Sequence, residues 1–304
     1  MKTFAIIPST GLGDLIITLG LAYNLSKDFK VVVYHPLIKY LAAFFPYLVP
    51  KERPIDVCDF DNEKIDQVLL IWERSSFFES AENVLRKRLG NNLYVLNPVV
   101  TNKKDYRFSE EYFFNCEFSF SENLNMFSQQ KLGIHAPKKT TGANLSEPKD
   151  PKLILMHVTA SIPRKCWPHS GFFFLKKTLE KQGFKVLFAT LPHEKETVDK
   201  GLYSGIQSLE ELAMLLSKAS LLIGNESGVG HLASALHTPS IILCRNPRRG
   251  NFWGADFEGR KKLICPPRWI PNMKPGRFRD RYWKYLISKN RVLKEIKKVL
   301  SLNF

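Results

Sequence analysis

The chain has 304 residues, enough for two domains with separate cores, and its 45 lysines and arginines exceed its 29 acids for a formal charge of +16. That excess implies an anionic partner: nucleic acid, an acidic membrane surface or a phosphorylated substrate. Five scattered cysteines (Cys58, Cys116, Cys166, Cys244, Cys265) lack metal-ligand spacing, which excludes a legible zinc site and points to free thiols in a reducing compartment. Phe4-Ala-Ile-Ile7 is too short for a signal-peptide core and no apolar run is long enough to span a bilayer, so a cytoplasmic protein is expected.

Residues 3 to 7 read as a buried first strand, and Pro8-Ser-Thr-Gly-Leu-Gly-Asp14 as the turn into a helix from about Leu15 to Leu25. A dinucleotide fingerprint would need a third glycine where Ile16 and Ile17 stand. The second strand, Val31-Val-Val-Tyr34, ends in His35 rather than in an acid for ribose, so a nicotinamide cofactor is rejected. By residue type alone, Asp14 is a helix-capping acid. From Pro36 to Val49 the aromatics Phe44, Phe45 and Tyr47 predict a short core helix stopped by Pro46, with lipid contact as the lesser reading. Asp59-Phe-Asp61 precedes a strand, Val68-Leu-Leu-Ile71, and reads as loop solvation rather than as a metal-binding pair. Arg86-Lys-Arg88 and Lys103-Lys104 read as solvated faces.

Proline, glycine and charge make His135 to Pro151 a linker, after which Lys152-Leu-Ile-Leu-Met-His157 starts a second domain. The turn Val158-Thr-Ala-Ser-Ile-Pro-Arg-Lys-Cys-Trp-Pro168 gathers hydroxyls and cations just after that strand. A helix from Phe172 to Gln182, a glycine at 183 and a strand from Lys185 to Ala189 complete a βαβ step of an open parallel sheet. Leu191-Pro-His-Glu-Lys-Glu196 reads as a solvated helix start or an acidic turn. Ser208 and Glu211 form a capping-box pattern heading a helix to Ser217.

Leu221-Leu-Ile-Gly-Asn-Glu-Ser-Gly-Val-Gly-His-Leu-Ala-Ser-Ala-Leu236 then reads as strand, turn, helix. Ser227 suits an N-cap, and the amides near Gly228, with the helix dipole, form a ready anion site. Ser227 and His231 lie four apart on one helical face, and Glu226 is placed to reach a ribose or sugar hydroxyl. Beyond Cys244-Arg-Asn-Pro-Arg-Arg-Gly-Asn-Phe-Trp253, Arg268, Lys274, Arg277, Arg279 and Arg281 interleave with Trp269, Phe278, Tyr282 and Trp283. Such mixing suits single-stranded nucleic acid or, equally, glycolipid phosphates and an acidic membrane.

The segment Asn225 to Leu236 followed by Pro239 resembles the Asp-Ser/Thr-Gly-x-x-His-Leu-Ala-Ala-Ala stretch of the heptosyltransferases, glycosyltransferase family nine. It departs from that pattern at Glu226, where the family more often has Asp. Gly11-Leu-Gly-Asp14 resembles the family's opening turn, which implies Asp14 as general base. Arg164-Lys-Cys-Trp-Pro168 resembles its Lys-x-Trp-Pro, which implies that Lys165 contacts the donor phosphates, with Thr159 and Ser161 bonding phosphate oxygens. The turn at 191–196 loosely resembles the family's acidic turn, which implies a ribose contact for Glu194. These motifs stand in the family's own order.

The resemblance therefore implies an α/β protein of the GT-B arrangement: two Rossmann-like domains with parallel sheets facing a central cleft. The expected divisions are an acceptor-side domain at 1–150, a nucleotide-sugar domain at 151–280, and a helix at 281–304 packing back on the first domain. The expected activity is metal-independent, inverting transfer of a sugar, heptose first, from a nucleotide diphosphate (ADP-heptose) to a lipopolysaccharide core or related glycan. Asp14 and Lys165 are the catalytic candidates; Thr159, Ser161, Lys165, Glu194, Glu226, Ser227, Gly228 and His231 are the donor-binding ones. No cofactor and no nucleic-acid partner are expected, and an acidic membrane on the inner face of the inner membrane is the expected peripheral contact. A nucleotide-sugar epimerase or hydrolase, an inactive sugar-nucleotide binder and a basic nucleic-acid-binding protein are the alternatives.

Overall fold

The computed structural model describes residues 1–96, 115, 117–273 and 276–301; Lys103-Lys104, Cys116 and Lys274 lie outside them. The chain divides into two units, Met1–Asn144 and Leu145–Phe304, so the boundary falls inside the expected linker.

The first unit runs β1 (Thr3–Ile7), α1 (Leu12–Leu25), β2 (Lys30–Tyr34), β3 (Leu48–Lys51), β4 (Gln67–Ile71), α2 (Ser76–Leu89), β5 (Leu93–Leu96) and α3 (Phe120–Leu132). Its strands pair in parallel in the order β3-β2-β1-β4-β5. Phe4 to Ile7 and Val68 to Ile71 are buried throughout, as expected for central strands covered on both faces. The chain moves outward from β1 to one side and then returns to the other, so the sheet's switch point lies between the carboxyl ends of β1 and β4.

Three details differ from the sequence expectation. Helix α1 begins at Leu12 rather than Leu15, with Gly11 as an extended N-cap, which puts Asp14 inside the first turn. The short core helix expected after Pro36 is a 3-10 helix over residues 38–44, and Leu48–Lys51, for which no strand was expected, joins the sheet as an edge strand. An edge strand tolerates Pro50, which has no ladder donor. The clustered aromatics are packed as expected, with Phe44 and Phe45 buried and the Tyr47 hydroxyl donating to the Leu19 carbonyl at 3.1 Å. Helix α3 was not foreseen. Its signal is Ser119-Phe-Ser-Glu122: the Ser119 hydroxyl accepts from the Glu122 amide at 3.2 Å and the Glu122 carboxylate from the Ser119 amide at 2.9 Å.

The second unit runs β6 (Asp150–His157), α4 (His169–Glu180), β7 (Lys185–Phe188), α5 (Leu209–Lys218), β8 (Ala219–Asn225), α6 (Gly228–Ala235), β9 (Ser240–Leu243), α7 (Pro247–Trp253), β10 (Lys261–Ile264), α8 (Phe278–Tyr282) and α9 (Lys289–Ser301). The parallel order is β10-β9-β8-β6-β7, so its switch point lies between β6 and β8. The expected α/β class, two domains each on a parallel sheet, is thus what the chain adopts. Gly183, at φ +87°, stands just past α4, and its amide bonds the Glu180 carbonyl at 3.0 Å.

The apolar stripe of the last helix belongs to the core of the second unit. Val292, Ile296 and Leu300, at intervals of four, form the buried stripe of α9, and all three join the core cluster that contains Ile154, Met156 and Phe172 of the second unit. With that stripe buried in its own domain, α9 presents charged residues elsewhere. Truncating Ile296 to Ala should therefore destabilise the second domain by about 2–5 kcal/mol, measured by denaturant titration followed through tryptophan fluorescence. A loss below about 1 kcal/mol would show that the stripe is not core.

Candidate active site

The carboxyl ends of β6 and β8 lie side by side, with His157 opposite Gly224. A Cβ at Gly224 would sit 2.9 Å from the His157 carbonyl oxygen, so glycine permits this close approach of the two strand ends. The next residue, Asn225, is buried, and its side-chain amide bridges the two ends of the loop that follows β6. Its Oδ1 accepts from the Trp167 amide at 2.9 Å and its Nδ2 donates to the Val158 carbonyl at 2.7 Å. The 158–167 loop is thereby held at both ends. Trp167 is fixed in turn by its indole N–H to the Ile287 carbonyl at 3.1 Å and by Gly171, where a Cβ would meet the ring at 2.3 Å. The Trp283 indole donates to the Arg164 carbonyl at 3.0 Å, so the basic C-terminal segment also pins this loop.

Three of the expected donor residues meet around a fourth that the sequence reading passed over. Buried His157 bonds the Ser227 hydroxyl through Nδ1 at 2.9 Å, and its Nε2 faces the Thr159 hydroxyl at 2.9 Å and Glu194 Oε1 at 3.2 Å. The Thr159 hydroxyl also bonds Glu194 Oε1, and the Leu191 amide donates to Oε2 at 2.8 Å. Ser227 does occupy the N-cap of α6, but its hydroxyl is turned to His157 and makes no cap. The helix therefore begins with no side chain capping its amides, which keeps them open to an outside anion. The Thr159 proton is likewise engaged by Glu194 rather than free for a phosphate oxygen. Burial would raise the Glu194 carboxyl, but the His157 bond and charge, the Leu191 amide and the Thr159 hydroxyl outweigh it and hold the group at about 2.

Lys165 sits at the end of a 3-10 turn, Pro163–Lys165, whose amide bonds the Ile162 carbonyl at 3.0 Å. It shares a crevice with Glu226. His231, on α6, is pushed to about 3 by burial first and then by the charges of Lys261 and Lys165. Its Nδ1 accepts the Ala255 amide at 3.3 Å, so the neutral ring carries its proton on Nε2 as a hydrogen-bond donor. Gly228 opens α6, and Ser161 is exposed on the Lys165 loop.

Asp14 belongs to the other switch point, in the first unit. It stands beside Ser9, Gly11 and Glu73, the last from the loop after β4. Burial and then Glu73 raise its carboxyl against the lowering effect of the Ser9 hydroxyl and nearby amides, so its pKa lies above the ordinary 3.8. Glu73 is itself placed by the Thr10 amide at 2.8 Å and the Thr10 hydroxyl. Buried His35, held at about 4 by burial and Arg53, accepts the Leu37 amide on Nδ1 at 3.1 Å and so donates Nε2–H to the Thr10 carbonyl at 3.1 Å. Arg53 stacks 4.9 Å from the Phe78 ring centre and donates to the Pro8 carbonyl. Asp59 lies in a 3-10 helix, Val57–Asn62, that buries Phe60 in this unit's core. Among the described residues no group of three or more His, Cys, Asp or Glu converges as a metal site.

Comparison with known proteins places these observations in a family context. Residues 106–255 match the model of glycosyltransferase family 9 (heptosyltransferase). Lipopolysaccharide heptosyltransferase 1 of Campylobacter coli is 30% identical over 176 residues, covering 53% of this chain and 46% of that protein. The chain spans about half the length of the curated relatives it matches. The E. coli heptosyltransferase WaaC solved with ADP aligns over 98% of this chain and 100% of its own, at TM-score 0.72 and 14% identity. The E. coli ADP-heptose lps heptosyltransferase II covers 100% and 99%, at 0.68 and 16%. The resemblance to family nine and the GT-B fold class expected from the sequence are thus borne out.

Two outcomes follow from this geometry. Asn225→Ala leaves the buried Trp167 amide and Val158 carbonyl unpaired; it should cost about 2–4 kcal/mol and raise hydrogen exchange at the Trp167 amide, whereas unchanged exchange would show that the loop is held by other contacts. Glu194 has a folded pKa of about 2 against an ordinary 4.5, so its stabilising effect is present above 4.5 and is lost as pH falls toward 2. Glu194→Gln should therefore flatten the stability loss across that window in acid titrations monitored by circular dichroism. An identical acid slope would contradict the His157 network.

Proposed function

We propose that this chain is an inverting glycosyltransferase of the family-nine type. It moves a sugar, heptose in the first instance, from ADP-heptose or a related nucleotide diphosphate to a lipopolysaccharide core or related glycan. The observation that carries this reading is the convergence at the β6/β8 switch point of Lys165, neutral His231 with its Nε2 donor, and an α6 N-terminus free of any side-chain cap. A diphosphate gains negative charge as it leaves the anomeric carbon. Donors already aimed at it lower that barrier without reorganisation. A lysine, an imidazole N–H and helix amides supply this stabilisation from the protein, so the reaction is proposed to need no divalent ion.

The amides at Ser227 and Gly228, with Ser161 on the loop above, complete the diphosphate cradle in this reading. Glu226 accepts from a hydroxyl of the sugar or ribose. Glu194 and Thr159 act mainly through His157, which fixes the strand ends between which the donor lies. Asp14 removes the proton of the attacking hydroxyl. A carboxylate raised by burial and by Glu73 is a stronger base than an ordinary aspartate, which suits it to that step. Attack from the face opposite the diphosphate inverts the anomeric centre. A glycolipid acceptor places the work at the inner face of the inner membrane, where the basic segment after residue 260 meets acidic head groups. Among the described residues no helix is long and apolar enough to cross a membrane.

With a competent donor and acceptor, Asp14→Asn should lower kcat about 10²–10⁴-fold while nucleotide affinity is kept. Lys165→Ala should lower kcat/KM about 10²–10³-fold and weaken nucleotide binding. In the wild type the acid limb of kcat/KM should lie above pH 3.8, and Glu73→Gln should move it downward by removing a repulsive charge. Full turnover in Asp14→Asn would remove the base assignment. Release of free sugar or its epimer with no transfer product would favour the hydrolase or epimerase alternative.

A further inference from the structure

Once Lys165, His231 and the α6 amides are assigned to the diphosphate, positive charge remains beside them. A crevice of about 40 Å³ adjoins Lys165 and is lined by Arg164, Glu226, Arg245 and Arg249 as well. The sheet explains why these residues meet. Asn225 of β8 lies opposite Leu243 of β9, so Glu226 and Arg245 leave neighbouring strand ends together. Asn246 then caps α7, its Oδ1 accepting the Arg248 amide at 2.9 Å with Pro247 at the first turn, which fixes the turn that carries Arg249. Four cations and one carboxylate thus line one crevice, and among the described residues none of these five side chains has a hydrogen-bond or ion-pair partner.

Such a cluster is complementary to an anion beyond the diphosphate. Arg245 and Arg249 stand on the β9 side, one strand farther from the switch point than the Lys165 loop and α6. Arginine forks match the paired oxygens of phosphate or carboxylate, and Glu226 in the same crevice is suited to a neighbouring hydroxyl. A hydroxyl and an oxyanion read side by side are the signature of an acidic or phosphorylated sugar. We propose that Arg245 and Arg249 form a second oxyanion subsite, separate from the diphosphate cradle, that holds a phosphate or carboxylate of the transferred sugar or of the acceptor. The subsite rests on the donor reading given above.

The test is a calorimetric titration of inorganic phosphate into the full-length protein saturated with ADP, with the doubly substituted Arg245→Gln, Arg249→Gln protein in parallel. Both arginines are at the surface or half-buried, and circular dichroism checks that the variant folds. Phosphate should bind the ADP-loaded wild type, and the double variant should lose at least about tenfold of that affinity while binding ADP within about threefold of wild type. Repeating the titration with ADP-glucose in place of ADP locates the anion. Phosphate that still binds puts it on the acceptor, and phosphate excluded by the glucose puts it on the transferred sugar. No phosphate binding to ADP-loaded wild type, or equal binding by the double variant, would overturn the subsite. Failure of folded wild type to bind ADP at all would instead overturn the donor assignment, and the subsite with it.

Discussion

The carboxamide of Asn225 is the contact on which the second domain's site depends. At the β6/β8 switch point two adjacent parallel strands end and their loops diverge, leaving backbone groups without ladder partners. One buried side chain satisfies a group from each end of the 158–167 loop, the Val158 carbonyl and the Trp167 amide. Gly224 allows the strand ends close enough for this to happen. The loop that carries Lys165 is therefore set relative to the start of α6 by backbone bonding, and the cation itself is left free of that duty.

Around this fixed point the polar groups separate into two kinds. His157, Thr159, Glu194 and Ser227 satisfy one another, and their value lies in rigidity: each donor and acceptor is engaged inside the protein. Lys165, Arg164, Arg245 and Arg249 remain open at the crevice, with Glu226 among them. Ser227 belongs to both sets, because turning its hydroxyl inward leaves the α6 amides outward. The first domain repeats the pattern on its own switch point, where Thr10 and Arg53 position Glu73 and the β1 turn while burial and Glu73 hold the Asp14 carboxyl above its ordinary pKa.

Much of the fold was legible because its strands are continuous apolar runs and its helices carry ordinary caps. Ser208 and Glu211 marked α5 correctly, and Ser119 with Glu122 would have marked α3 by the same rule. Edge strand β3 was hidden by Pro50, whose missing donor argues against a strand unless the strand is known to lie at an edge. The stripe of α9 was visible at 292, 296 and 300, but periodicity cannot say which domain receives it. In the candidate site, Lys165, Glu226 and Ser227 were nominated by their place in turns after strands together with the family resemblance. His157 was read only as a strand end and Asn225 only as part of the polar turn that opens the family-like segment; the available signal was a polar residue closing an otherwise apolar strand. Glu73, Arg53 and His35 are brought to Asp14 only by sheet order, which local pattern does not contain.

In the proposed function a nucleotide's diphosphate lies between the Lys165 loop and the α6 N-terminus. The most direct test of that placement is a crystal structure of the protein with ADP bound. The phosphates are expected within hydrogen-bond distance of the α6 first-turn amides, Lys165 Nζ and His231 Nε2, with the Asn225 bonds intact. A nucleotide bound elsewhere, with this switch point empty, would contradict it.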